Sequence, residues 1–325
     1  MKVLVTGATG FVGSALVHRL LSEGLAVRGS SRRIPPPGFE AVEWRRIAAI
    51  DACAEWQEIV QGCGAVIHLA ALAHQTGRAG IGRWSEFHRI NVQGTLALAR
   101  ACRAAGVRRL IFVSSIAAIG AASREPLTEA SPEHPADDYG RSKLEAEMAL
   151  RSELEGSSVE WCILRPPLIY GAGNPGNMAR LLKLIRTGLP LPLGSIHNCR
   201  SFMFVDNLAD ALVTVARHGQ PLRSTYLLSD GSDFSTPDLV RALARASGQR
   251  VRLIGVPSPA LKFLGRVGDL AEQFLGVRSG LDSYSVERLT GSLVIDSARF
   301  RGTFCWHPPV SVPLALESTC RAQSA

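Results

Sequence analysis

The stretch that most constrains this chain is its start, Val3-Leu4-Val5-Thr6-Gly7-Ala8-Thr9-Gly10-Phe11-Val12-Gly13. A short run rich in β-branched residues gives way to glycines spaced G-x-x-G-x-x-G. Ala15-Leu16-Val17 and Leu20-Leu21 then take up a helical apolar rhythm. The pattern predicts a strand, a tight turn and a helix N-terminus. Gly7 permits the turn, Gly10 has no side chain to hold a diphosphate off the backbone, and Gly13 lets the helix pack close to the strand. Free N–H groups and the positive end of the helix dipole then face an anion. Thr9, Phe11 and Val12 share the turn and are candidates for the same contact. The spacing is not the G-x-G-x-x-G of the usual dinucleotide fingerprint, but its place at the head of a β-α pattern points to a dinucleotide.

Strand and helix signals then alternate along the chain. Leu25 to Ser30 predicts a second strand, Val42-Glu43-Trp44 a short third and Gly64 to Ala71 a buried fourth. Helices are expected over Ala54–Gln61, Trp84–Ala105 and Tyr139–Leu154, and further strands over Arg108–Ser115 and Val159–Leu164. The order predicts an α/β fold, a Rossmann-type doubly wound parallel sheet over residues 1–165 with contributions from about 200–230. Beyond Arg165-Pro166-Pro167 the pattern turns irregular, and residues 166–325 are expected to form mainly a smaller, discontinuous α/β substrate domain. Ser31-Arg32-Arg33 follows the second strand with no acid to bond an adenosine ribose, so Arg32 and Arg33 are expected to receive a 2′-phosphate, with Ser31 beside them at the cofactor. NADP(H) is therefore the expected cofactor, with NAD(H) open. Leu69, Ala70 and Ala71 are small or apolar residues where the backbone would approach the nucleotide, while His68 reads as a core histidine.

Charge narrows the partners. The net charge of +8 is carried almost wholly by arginine, since lysine occurs only at Lys2, Lys143, Lys183 and Lys262. The arginines are scattered or paired, as in Arg108-Arg109, and read as solvated faces rather than a nucleic-acid site. Such a surface suits steering of phosphorylated small molecules. Seven cysteines without a CxxC pair are expected to be free thiols in a reducing cytoplasm, and no metal-ligand spacing appears. No apolar run approaches a membrane span, and the N-terminus does not read as a signal peptide.

Tyr139 and Lys143 stand four apart on an expected helix, on one face. A phenol titrates near pH 10, and a close ammonium lowers it, which would make Tyr139 a proton donor or acceptor near neutrality. Ser114 and Ser115 end the preceding strand, near enough in sequence logic to bond the same substrate oxygen.

With Gly7, Gly10 and Gly13, the segments Phe112 to Gly120, Tyr139-Gly140-Arg141-Ser142-Lys143, Asn91 to Thr95, Leu164 to Gly171 and Arg200 to Asp206 resemble the extended short-chain dehydrogenase/reductases of the NAD-dependent epimerase/dehydratase group. The resemblance implies catalysis by Ser115, Tyr139 and Lys143, with Tyr139, Lys143 and Pro166 also at the cofactor. It implies a nucleotide-sugar diphosphate held by Arg200, with Asn177 and Arg288 as further substrate contacts, and a homodimer. Ala49 stands where relatives often carry an adenine-binding aspartate. Ile116 and Ala117 replace the Asp-Glu pair of 4,6-dehydratases, which argues against water elimination. His68 to His74, Leu189 to Ser195 and Leu289 to Leu293 are similar to bacterial 4-ketoreductases of UDP-4-keto-6-deoxy-N-acetylhexosamines in O-antigen synthesis. The expected activity is thus NADPH-dependent 4-keto reduction. The alternatives are a UDP-hexose 4-epimerase, a reductase of a non-sugar ketone and a non-catalytic NADP-binding regulatory protein.

Overall fold

Alternation along the strands decides which core each side chain joins. In β1 (Lys2–Thr6), Val3 and Val5 face one side and Leu4 the other; in β4 (Ala65–His68), Ala65 and Ile67 oppose Val66. A sheet that is apolar on both faces must be covered on both, and this one is. The computed structural model describes residues 1–32, 37–72, 82–123, 125–174, 177–275 and 283–321, without the side chains of 177, 270–275 and 284. Arg33 and His74 lie outside the described residues.

The remaining strands are β2 (Ala26–Ser31), β3 (Glu43–Arg46), β5 (Arg109–Val113), β6 (Glu160–Arg165), β7 (Leu168–Tyr170), β8 (Arg200–Phe204), β9 (Arg223–Leu227) and β10 (Asp233–Phe234). The described helices include α1 (Phe11–Ser22), α2 (Gln57–Val60), α3 (Trp84–Phe87), α4 (Gly94–Ala104), α5 (Asp138–Glu153), α6 (Asn177–Arg186), α7 (Val205–Arg217), α8 (Thr236–Ala246), α9 (Ser258–Leu275) and α10 (Ser283–Thr290). A π-helical turn, His88–Gln93, joins α3 to α4, so the expected long helix is interrupted rather than uniform.

The main sheet is parallel with strand order β3-β2-β1-β4-β5-β6-β9. Direction of winding reverses between β1 and β4, and such a switch point opens a crevice at the strands' C-terminal ends. Leu16, Val17 and Leu20 of α1 and Leu208, Leu212 and Val215 of α7 cover one face. Ile59, Leu98, Cys102, Ala146 and Leu150 cover the other. A second, three-stranded sheet, β10-β8-β7, pairs β7 and β8 in parallel and β10 against β8. Around it Met178, Leu182, Leu191, Phe202, Leu243 and Leu316 form a separate core that abuts Phe11 and Val12. Strand β8 of the small sheet ends at Phe204, and α7, which covers the main sheet, begins at Val205 with no residue between.

One arginine departs from the solvated reading. Arg109 is buried: its Nε donates to Glu160 Oε2 at 2.7 Å and its Nη atoms donate to the carbonyls of Val215, His218 and Gln220 at 2.6, 2.8 and 2.9 Å. It thereby bonds carbonyls at and just beyond the end of α7, sharing that of His218 with Arg108. The seven cysteines are free, and Cys63, Cys102, Cys162 and Cys320 are buried. Among the described residues no helix is long and apolar enough to cross a membrane.

Candidate active site

The turn after β1 has the geometry its glycines imply. Gly7 sits at φ +68°, and a Cβ there would lie 3.0 Å from Ala70 N. At Gly13 a Cβ would meet Gly7 O at 2.1 Å, so any side chain would drive α1 off the turn. Gly10 N donates to Gly7 O at 2.9 Å, and α1 starts at Phe11 with no side-chain cap and no acid in its first turn. The N–H groups there are thus left to an anionic ligand. Ser31 is buried at the end of β2 and Arg32 is exposed just beyond it. Leu69, Ala70 and Ala71 follow β4. The candidates Gly7, Thr9, Gly10, Phe11, Val12, Ser31, Arg32, Leu69, Ala70 and Ala71 therefore line the C-terminal ends of three adjacent strands, as a dinucleotide cradle requires.

A buried hydrogen-bond chain fixes the β4 side of that crevice. Thr6 Oγ1 accepts from Leu69 N (3.2 Å) and Ala70 N (3.1 Å), so its own proton goes to His68 Nδ1 at 2.7 Å. His68 Nε2 then donates to Thr95 Oγ1 (3.1 Å), which donates to Asn91 O (2.6 Å). Burial of this neutral ring pushes the His68 pKa down to about 3. Asn91 Oδ1 accepts from Leu72 N (2.7 Å), and its Nδ2 donates to Ser142 Oγ (2.9 Å), which donates to Tyr139 O (2.8 Å). His68 is a core histidine, as expected. Its second role, bracing the loop after β4 through Thr6, depends on a partner 62 residues away and leaves no local trace in the sequence.

The strand end and helix that carry the catalytic candidates meet because Gly140 has no side chain. Asp137 caps α5, its Oδ1 accepting from Gly140 N at 2.7 Å. A Cβ on Gly140 would lie 2.3 Å from Ala117 O, in the short 3-10 turn Ile116–Ala118 that follows β5. That contact seats Tyr139 beside Ser115, whose hydroxyl bonds the phenol and lowers its pKa. Ser114, by contrast, is buried with its Oγ unbonded among the described residues. Lys143 lies one turn on, with Nζ donating to Val113 O at 2.8 Å and 4.5 Å from the centre of the Phe112 ring. Pro166 is buried after β6 and its carbonyl accepts from Ile116 N at 3.0 Å.

The electrostatics differ from the expectation. Burial pushes the Tyr139 phenol up to about 12, against the downward pull of the Ser115 hydroxyl and the charge of Arg288. Burial likewise pushes the Lys143 ammonium down to about 7, opposed by Glu147. Desolvation outweighs the pull of Ser115 and Arg288, so the buried phenol lies above its ordinary value rather than below it.

Glu147 itself is buried and holds Arg165 at the end of β6, by Nε to Oε1 at 2.8 Å and Nη2 to Oε2 at 2.5 Å. Glu133 closes on the same guanidinium and Arg151 donates to Glu147 at 2.7 Å. Sequence reasoning missed this clamp, though an acid one turn beyond Lys143 was its visible trace. On the substrate side, Arg200 Nη1 donates to the carbonyls of Arg288 (3.1 Å) and Gly291 (3.0 Å). The structure thus joins two candidates 88 residues apart, and the field of Arg288 reaches Tyr139. Asn177 begins α6; its side chain lies outside the described residues.

A model of the NAD dependent epimerase/dehydratase family matches residues 3–227. A UDP-glucose 4-epimerase of Vibrio cholerae is 32% identical over 324 residues, 99% of this chain and 95% of the relative. The N-acetyl-alpha-D-glucosaminyl-diphospho-ditrans,octacis-undecaprenol 4-epimerase of Escherichia coli O157:H7 is 26% identical over 303 residues, 92% of this chain and 88% of the relative. A solved UDP-glucuronic acid 4-epimerase from Bacillus cereus, in complex with UDP-glucuronic acid and NAD, superposes with a TM-score of 0.79 over 100% of this chain and 99% of that one. It is 20% identical, a likeness of fold. With its glycine cradle, its switch-point crevice and a family match across more than half its length, the chain belongs to the NAD-dependent epimerase/dehydratase family of extended short-chain dehydrogenase/reductases.

Proposed function

We propose that the protein is an NAD-dependent 4-epimerase of a UDP-hexose. The observation that carries this reading is the seating of Tyr139 against Ser115, with Lys143 one turn away, at the same sheet edge as the glycine cradle. The near full-length likeness to a 4-epimerase supports it over the 4-keto reduction expected from sequence. Ile116 and Ala117, where dehydratases carry acids, leave the site without the groups that elimination needs.

In this reading Gly7, Gly10 and the α1 N-terminus hold the dinucleotide diphosphate, and Lys143 and Pro166 border its nicotinamide end. Bound there, the cofactor supplies a reversible hydride acceptor and, when oxidised, a positively charged ring. Tyr139 takes the proton of the sugar 4-hydroxyl and returns it after the ketone has turned its other face, so no net oxidant is consumed. Ser115 bonds the same oxygen. A phenol at about 12 needs a cation brought close before it can act as a base at neutral pH. Arg200 and Arg288 place positive charge on the sugar-diphosphate side.

Purified protein with UDP-glucose or UDP-N-acetylglucosamine and NAD is expected to form the C4 epimer. Absence of the epimer, together with NADPH oxidation on a UDP-4-keto-6-deoxy-N-acetylhexosamine, would overturn the epimerase reading in favour of the reductase. One observation favours that second reading, the acid-free end of β2 with Arg32 exposed beside Ser31. If Arg32 serves a 2′-phosphate, Arg32→Ala should weaken NADP binding by about ten-fold and leave NAD binding unchanged in titration.

A further inference from the structure

Six of the nine large apolar side chains that stand exposed among the described residues fall in two stretches, 161–205 and 239–268. Neither stretch contains an aspartate or a glutamate, and together they carry eleven lysines and arginines, of which Arg165 is buried in its clamp with Glu147. The two are joined in space: Leu191 bridges Leu253, Leu191 N donates to Arg252 O at 2.9 Å, and Gly194 N donates to Ile254 O at 2.8 Å. Exposed Leu189 (64%) and Ile254 flank this junction, and the chain runs from it directly into α9.

The inner side of α9 is fixed by Leu261, Gly265 and Gly268, which are buried. Gly265 meets α10 so closely that a Cβ would lie 3.0 Å from Ser283 Cα. The opposite side is therefore held outward, and it presents Phe263 (65% exposed), Leu264 and Val267. Lys262 and Arg266 stand exposed beside them, with Arg250 and Arg252 at the junction. A monomer rarely leaves such a cluster of large apolar groups in water without a use for it. Aliphatic and aromatic side chains on one helix face, bordered by cations, are what binds in the headgroup layer of an anionic bilayer. A second copy docking on the same face across a two-fold axis would set cation against cation.

We propose that the α9 face, with the 189–194 and 252–254 junction, is a docking surface for an anionic phospholipid bilayer. Phe263, Leu264 and Val267 enter the headgroup layer, and Lys262, Arg266, Arg250 and Arg252 meet lipid phosphates. This goes beyond the proposed reaction and does not depend on it.

The test is flotation of the full chain with vesicles of phosphatidylcholine alone and of phosphatidylcholine with about 30% phosphatidylglycerol. Binding is expected to the second only, and to weaken steeply as salt rises. A Phe263→Ser/Leu264→Ser variant and a Lys262→Glu/Arg266→Glu variant should each lose at least about ten-fold in partitioning. Their thermal midpoints and NAD binding should be unchanged, because all four side chains are exposed. A Leu189→Ser/Ile254→Ser variant probes the same face from another segment, should either of the first two fold poorly. The proposal fails if the unaltered protein ignores anionic vesicles, or if all three folded variants bind as it does. It also fails if the serine variants change the sedimentation of an oligomer that binds no vesicle, which would make the face an interface between copies.

Discussion

Tyr139 shows how burial and charge compete at one atom. The phenol rises to about 12 because the fold removes water from around it, while the Ser115 hydroxyl and Arg288 recover only part of that cost. The spacing of Tyr139 and Lys143 was legible in the sequence, but the sign of the shift was not, since burial is a property of the assembled crevice. Tyr139→Phe is expected to cut turnover by about 10²–10⁴-fold, measured by product formation, with dinucleotide binding unaltered by titration. His68 gives a pH prediction with the opposite emphasis. Its folded pKa, about 3, lies below its ordinary value of 6.5, so the unfolded chain takes up the proton first as pH falls. Its contribution to stability is complete above 6.5 and lost as pH drops from there towards 3. Protonation would also set a second N–H against Thr6 Oγ1, which already accepts two. The thermal midpoint should fall across that window, and His68→Asn should flatten the slope.

Two contacts at the level of elements decide whether the catalytic helix sits where it must. Gly140 against Ala117 O sets the approach of α5 to the turn after β5. Gly140→Ala is expected to destabilise the protein by about 1–3 kcal/mol in urea unfolding and to lower turnover, as the start of α5 moves away from Ser115. The Glu147–Arg165 clamp ties the middle of α5 to the end of β6, just before Pro166. Glu133 still faces Arg165 after Glu147→Gln, so that change should cost less than the about 3–5 kcal/mol of a fully unpaired buried charge, and the paired change Glu147→Met with Arg165→Met should restore much of it. The helix and the strand were each readable from periodicity. Their clamp was not, because a buried acid on α5 looks in sequence like any solvated one. The same is true of Arg109, whose neighbour Arg108 is exposed while it caps α7 from within.

Across the whole molecule, the local signals were the legible ones. The glycine turn, the strand–helix alternation and the Tyr139–Lys143 pair each occupy a short window, and each appears in the fold where expected. Arg200 meeting Arg288, and β9 closing the main sheet beside β6, depend on segments far apart along the chain. The cradle spans the ends of β2, β1 and β4, so a ligand there holds three strands at once. Saturating NAD at about 100 times its Kd should therefore stabilise the fold by about 2.7 kcal/mol, read as a rise in thermal midpoint, and Gly10→Val should abolish the rise. The abutment of Phe204 and Val205 carries a different consequence. A helix turns by about 100° with each residue, so one amino acid inserted at that joint would swing Leu208, Leu212 and Val215 away from β4 and β5 while β8 stayed where it is. Both cores are threaded on a joint without slack, so changes in chain length during divergence must be absorbed elsewhere.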